Sequence, residues 1–144
     1  MIAGIHHCSL LVEDLERSLA FYCGVLGMAQ DAARPDLGYA GAWLLAGNQQ
    51  LHLLRLPSPD PVAGRPAHGG RDRHVALVVD SVERLRERLE AAGIPFTASR
   101  SGRPALFCRD PDGNALEFVE IAIAVGSGSL SPDRSVRCGS KSRS

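Results

Sequence analysis

An α+β fold is predicted, made of two copies of one strand, helix and three-strand unit, and three observations carry the prediction. The stretch IHHCSLLVEDLERSLAFYCGVLG, Ile5 to Gly27, alternates side-chain character and then changes to helical spacing. A second stretch repeats it: with His7 set against His74, Leu10 meets Leu77, Val12 meets Val79, Leu15 meets Val82, Glu16 meets Glu83 and Arg17 meets Arg84. Each copy then runs on through short β-favouring segments and a Gly-Asn turn, Gly47-Asn48 in the first and Gly113-Asn114 in the second.

The elements follow in order. From Ile5 to Val12 strand parity puts His7, Ser9 and Leu11 on one face and Cys8, Leu10 and Val12 on the other. Asp14 is placed to cap a helix carrying Leu15, Leu19, Tyr22 and Leu26, with Gly24 and Gly27 as stop signals. A weakly marked strand near Met28 to Asp31 precedes a hairpin of Tyr39 to Ala46 and Gln49 to Leu56. In its second arm Gln50, His52 and Leu54 oppose Leu51 and Leu53. Leu56 to Arg73, rich in Pro and Gly, is expected to be an extended connector, with Arg65, His68, Arg71 and Arg73 on it.

The second copy opens on RHVALVVD, with His74, Ala76 and Val78 sharing a face. Asp80 and Glu83 have capping-box spacing, and Val82, Leu85, Leu89 and Ala92 form an apolar stripe that stops at Gly93. Strands are expected at Phe96 to Ser99, Pro104 to Arg109 and Ala115 to Ile121, the last two joined through DPDGN. Glu117 is then an acid on an otherwise apolar strand. The expected organisation is one domain over residues 1–123, with a module at about 4–56, a connector at 57–72 and a second module at about 73–123. Residues 124–144, mostly Ser, Gly and Arg, are expected to be a disordered tail.

At 144 residues the chain can bury one core, so the copies are read as halves of one domain. Sixteen basic residues balance sixteen acidic ones, which argues against nucleic acid or an anionic membrane as partner. The start of the chain has neither a basic leader nor a long apolar run, so a cytoplasmic location is expected. Four cysteines without CxxC spacing are read as free thiols.

Two histidines at one address in two copies are the chemical signal. Aligning the Gly-Asn turns and allowing one extra residue in the first copy sets His52 against Glu117, whereas a strict offset sets Gln50 there. Three imidazoles and a carboxylate suit a divalent first-row ion such as Zn, Ni, Fe or Mn. Should His52 stand aside, His7, His74 and Glu117 make a 2-His-1-carboxylate face with open positions. Arg34, Arg100 and Arg103 are expected anion holders, and Phe107 is counted with them as substrate-binding.

Four motifs carry a family resemblance: H-x-x-L-x-V-x-D at His7 to Asp14, FY-x-x-VLGM at Phe21 to Met28, HVAL-x-V at His74 to Val79, and DPDGN-x-LE at Asp110 to Glu117. Over about residues 1–123 the chain resembles the vicinal oxygen chelate superfamily. That group holds glyoxalase I, fosfomycin resistance thiol transferases, extradiol dioxygenases, methylmalonyl-CoA epimerase and metal-free bleomycin resistance proteins.

The resemblance implies two βαβββ modules forming a glyoxalase-like fold of cupped mixed sheets. It also implies one divalent metal held by His7, His52, His74 and Glu117, and a homodimer in which ligands from different chains meet. Glu117 would double as the base that moves a proton beside a carbonyl. The activity it implies is a metal-dependent lyase or isomerase acting on a small substrate, thiol conjugates included, chelated through two oxygens. The alternatives are an extradiol dioxygenase, a fosfomycin-type thiol transferase, or a drug-sequestering protein without chemistry. Phe107 stands where the thiol transferases usually carry tyrosine, which weakens the fosfomycin reading, and His52 stands where the typical glyoxalase pattern has Glu or Gln.

Overall fold

The computed structural model describes residues 1–121 and 135–136. They form two compact units, Met1–Pro57 with residues 135–136, and residues 58–121.

In the first unit β1 (His7–Leu11) leads through the Asp14 cap into α1 (Leu15–Leu19), as predicted, the Asp14 carboxylate accepting from Arg17 N at 3.1 Å. The helix does not stay α-helical. Ala20–Val25 widen into a π-helical turn, in which Leu26 N donates to Phe21 O. Gly24 therefore lies inside the turn instead of ending it, and Gly27, at φ 77°, supplies the left-handed stop. Of the expected stripe Tyr22 is buried, together with Ser18 and Phe21, while Leu15, Leu19 and Leu26 are only half-buried.

The rest of this unit is β2 (Gln30–Asp31), β3 (Gly41–Ala46) and β4 (Gln49–Leu54). Positive φ at Gly47 alone meets the demand of a two-residue hairpin with glycine at the first turn position. β1 pairs parallel with β4, and β3 runs antiparallel to both β4 and β2. One face of the sheet, Leu44, Leu51 and Leu53, forms the core with Val12 and Tyr22; the other carries His7, Trp43 and His52.

Ser135–Val136, here β9, pair with β2 and close its open edge. The expected disorder of 124–144 therefore does not extend to these two residues. The rest of that stretch lies outside the described residues.

Gly41 is held by a steric demand: a Cβ there would fall far inside contact distance of the Leu53 carbonyl oxygen, a backbone atom with nowhere to go. Gly41→Ala is expected to cost about 2 kcal/mol of stability, within the overpacking range. Urea unfolding should give a lower midpoint at an unchanged slope.

The second unit repeats the topology with β5 (His74–Val79), α2 (Val82–Ala91), β6 (Phe96–Ala98), β7 (Ala105–Arg109) and β8 (Ala115–Glu120), in the sheet order β5-β8-β7-β6. The cap of α2 differs from the prediction. Ser81 accepts from Arg84 N, while Asp80 pairs with the Arg84 side chain. The Glu120 carboxylate also accepts from Val82 N at 2.8 Å, placing a negative charge at the positive helix end. Leu85 and Leu89 of α2 are buried, as are Leu106, Leu116 and Phe118 on the sheet face opposite Glu117. In the DPDGN turn the buried Asp110 accepts from Asp112 N, Asn114 N and the Asn114 amide, and Gly113 takes φ 82°.

Residues 58–72 belong to this second unit and fold onto it, a correction to the extended connector. Asp72 accepts from Arg109 at 2.7 Å and Arg65 at 3.2 Å, and Arg109 also donates to Pro66 O and Gly113 O. A short 3-10 turn, Gly69–Arg71, lies over Phe107 and Ala115, where a Cβ on Gly69 would touch Ala115 and crowd Phe107. Among the described residues no helix is long and apolar enough to cross a membrane.

Candidate metal centre

In the second unit the predicted pair forms. His74 Nε2 lies 3.1 Å from Glu117 Oε2, and His74 Nδ1 lies 2.9 Å from the backbone oxygen of Asp72. A carbonyl oxygen only accepts, so Nδ1 carries a hydrogen and Nε2 of the neutral ring carries a lone pair. That lone pair faces a carboxylate oxygen. Two electron-rich atoms at this separation require a proton or a cation between them, and a histidine anchored through its other nitrogen to a carbonyl is the orientation that metal-binding histidines take. Glu117 is 9% exposed. The Phe107 ring stands against His74 at 5.5 Å, so the pair has an apolar wall.

In the first unit His7 and His52 stack, with centroids 4.1 Å apart, and Trp43 stacks on His52 at 4.6 Å. Register decides which residue corresponds to Glu117. Ser9 pairs His52 as Ala76 pairs Glu117, while Gln50 pairs His7 as Ala115 pairs His74. His52 is therefore the topological counterpart of Glu117. The hairpin partners correspond too, Trp43 opposite His52 and Phe107 opposite Glu117. Burial first, then the charges of His7, His6 and Arg34, lower the pKa of His52 and favour the neutral ring that metals bind.

Each unit thus presents two donors, His7 with His52 and His74 with Glu117. Neutral imidazole nitrogens and a carboxylate fit a divalent first-row ion by chemistry. Among the described residues no group of three or more His, Cys, Asp or Glu side chains is placed to hold a metal ion.

The expected substrate residues are more scattered. Arg34 donates to the Pro35 and Tyr39 carbonyls and lies over the Tyr39 ring, so its guanidinium is engaged by its own loop. Arg103 is exposed, with Nε 3.5 Å from the Ser101 hydroxyl. Arg100 lines a cleft of about 550 Å³ with Arg71, His68 and Phe107. Phe107 itself is buried, its ring against His68 and His74.

Sequence reasoning missed four contributors. Trp43 was legible in principle, as the hairpin counterpart of Phe107. His6, whose Nδ1 lies 2.8 Å from that of His7, is its neighbour in the chain. The backbone oxygen of Asp72 and the side chain of Asp31 leave no pattern in a sequence, because one acts through the main chain and the other from a two-residue strand.

Cys108 lies on the core face of β7, and burial, with the nearby Asp110 charge second, pushes its thiol up to about 12. At pH 8 its thiolate fraction is then about one in ten thousand. Iodoacetamide is expected to modify Cys8 and Cys23, which are half-buried, and to leave Cys108 untouched until urea unfolds the chain. Mass mapping of the labelled peptides checks this.

Comparison with known proteins gives a consistent result. Residues 4–118 match the family model of the Glyoxalase/Bleomycin resistance protein/Dioxygenase superfamily. The chain is 32% identical to lactoylglutathione lyase of Haemophilus influenzae over 124 residues, covering 81% of this chain and 91% of that one. It is 28% identical to Glyoxylase I 4 of Arabidopsis thaliana, covering 81% of this chain and 70% of the relative. The crystal structure of lactoylglutathione lyase from Agrobacterium tumefaciens aligns at a TM-score of 0.60 with 25% identity, over 83% of this chain and 95% of that one.

Proposed function

The chain belongs to the Glyoxalase/Bleomycin resistance protein/Dioxygenase superfamily, and we propose on that premise that it is a glyoxalase-like, metal-dependent lyase or isomerase. Its substrate is a small molecule that presents two oxygens to the metal, thiol conjugates included. The observation that carries this reading is the His74–Glu117 pair at 3.1 Å, with His74 anchored to the Asp72 backbone. His7, His52, His74 and Glu117 are the proposed ligands of a Zn, Ni, Fe or Mn ion. The proposed working form is a cytoplasmic homodimer in which donors of different chains meet.

When bound, the ion supplies Lewis acidity that polarises a carbonyl and makes the adjacent C–H more acidic. The remaining work falls to side chains. Glu117, as carboxylate, takes the proton from the carbon beside the carbonyl and returns it to the former carbonyl carbon, while the hydroxyl proton passes to the former carbonyl oxygen, so Glu117 ends the cycle as it began. His74 cannot turn away while its Nδ1–H is held by Asp72, which fixes the direction of Nε2 next to that carboxylate. Phe107 closes one side of the pair and limits water there, which strengthens each electrostatic contact.

Metal analysis of protein purified without an affinity tag should find about one divalent ion per chain, by the ligand count. Methylglyoxal with glutathione should then yield lactoylglutathione or, with other carbonyl substrates, exchange of the neighbouring C–H with solvent deuterium. Protein that is metal-free and inert yet binds small molecules would be a sequestration protein instead. Oxygen uptake with catechols would make it a dioxygenase.

A further inference from the structure

We propose that Asp31 is a positioning residue for His52, acting through Gln50 to fix which ring nitrogen His52 presents. Asp31 is buried on β2, where its Oδ1 accepts from Ala33 N at 2.9 Å and its Oδ2 accepts from Gln50 Nε2 at 2.7 Å. A carboxylate offers no hydrogen, so the amide of Gln50 has only one acceptable orientation, with its NH₂ towards Asp31. Its Oε1 is then turned to His52, whose Nε2 lies 2.9 Å away. An amide oxygen only accepts, so Nε2 must carry the hydrogen, and the lone pair of the neutral ring is on Nδ1.

Ring plane and ring edge are set by different contacts. The stacks with His7 and Trp43, at interplanar angles of 12° and 10°, hold the plane. Gln50 holds the edge. The two modules therefore present opposite nitrogens, Nε2 from His74 and Nδ1 from His52. Neither assignment follows from the ligand motif, because each is imposed by a group outside it. The functional side of this inference rests on the reading of His52 as a ligand; the tautomer itself does not.

Nitrogen-15 correlation NMR of the metal-stripped full chain tests the relay directly. The wild type is expected to have His52 as the Nε2–H tautomer. In Asp31→Asn the amide oxygen keeps the Ala33 N–H and the new NH₂ faces Gln50. Gln50 must then turn its own NH₂ towards His52, inverting the ring to Nδ1–H. Gln50→Leu removes the acceptor and should leave a mixture, which also covers the case that Asp31→Asn does not fold.

An Nδ1–H ring in the wild type, or one unchanged tautomer in every folded variant, overturns the proposal. Zn(II) titration against a chromophoric chelator gives a second readout. Affinity should fall about 10- to 100-fold in Asp31→Asn, as for other groups that orient a ligand, and recover in part in Asp31→Glu. A wild type that takes up no Zn(II) would count against the metal reading alone, with the tautomer still deciding the relay.

Discussion

Glu117→Gln should lower turnover by about 10²- to 10⁴-fold, the span usually lost with a general base, while leaving the fold intact. Glutamine has the shape of the acid it replaces, and its amide NH₂ can donate to the lone pair on His74 Nε2, which lies 3.1 Å from Glu117 Oε2. Packing is preserved on both sides, since the buried Leu116 and Phe118 face the other way from this sheet position. What disappears is the negative oxygen that can take a proton from carbon. The loss should therefore fall on kcat for lactoylglutathione formation and on solvent-deuterium exchange, with an unchanged urea midpoint. Metal content separates the two duties of this carboxylate. A variant that keeps its ion and loses exchange assigns the residue as base, whereas one that keeps full turnover would falsify that assignment.

The candidate donors are legible in the sequence for a reason visible in the registers. A strand turns alternate residues to opposite faces, so a polar residue at the right parity on an apolar strand is visible as an exception: His7, His52, His74 and Glu117 all were. The repeat then supplied correspondence. The choice between His52 and Gln50 needed the structure, because the first copy carries extra residues and counting alone cannot locate them. The pairing of Ser9 with His52 and of Ala76 with Glu117 can.

The misses share a cause. Helical spacing assumes 3.6 residues per turn, and Ala20–Val25 depart from it: of the expected stripe Tyr22 is buried, while Leu15, Leu19 and Leu26 are half-buried and Ser18 and Phe21 are buried in addition. Residues 58–72 carry no hydrophobic period at all, and what pins them is polar. Ion pairs between Asp72 and arginines at 65 and 109 have no signature in local sequence, yet they determine where the backbone oxygen behind His74 sits.

That dependence gives the second large effect. Arg109→Met is expected to lower the urea midpoint further than Gly41→Ala, to expose residues 58–72 to proteolysis, and to reduce turnover about tenfold through misplacement of a catalytic group. Arg109 joins three parts of its unit at once, donating to the Asp72 carboxylate at 2.7 Å, to Gly113 O at 2.8 Å and to Pro66 O at 2.6 Å. Methionine keeps the length of the stem and makes none of these bonds. Asp72 is left with Arg65 and the Arg73 backbone N–H, and its carbonyl, the anchor of His74 Nδ1, loses the fixed position the clamp gave it.

Acid should reproduce part of this in the unaltered protein. The hydrogen bond from Arg109 first, then those from Arg65 and the Arg73 backbone, outweigh desolvation and hold the Asp72 carboxyl down at about 2, against 3.8 ordinarily. A carboxylate whose pKa is depressed on folding adds stability that is complete above its unfolded value and is lost as pH falls towards the folded one. The clamp should therefore be intact at pH 5 and weaken between about pH 4 and pH 2. Limited proteolysis across that window with an acid protease should cut within residues 58–72 of the wild type only at its lower end. The Arg109→Met chain should be cut there already at pH 5, and equal cleavage of both at that pH would rule out the clamp as what holds the segment down.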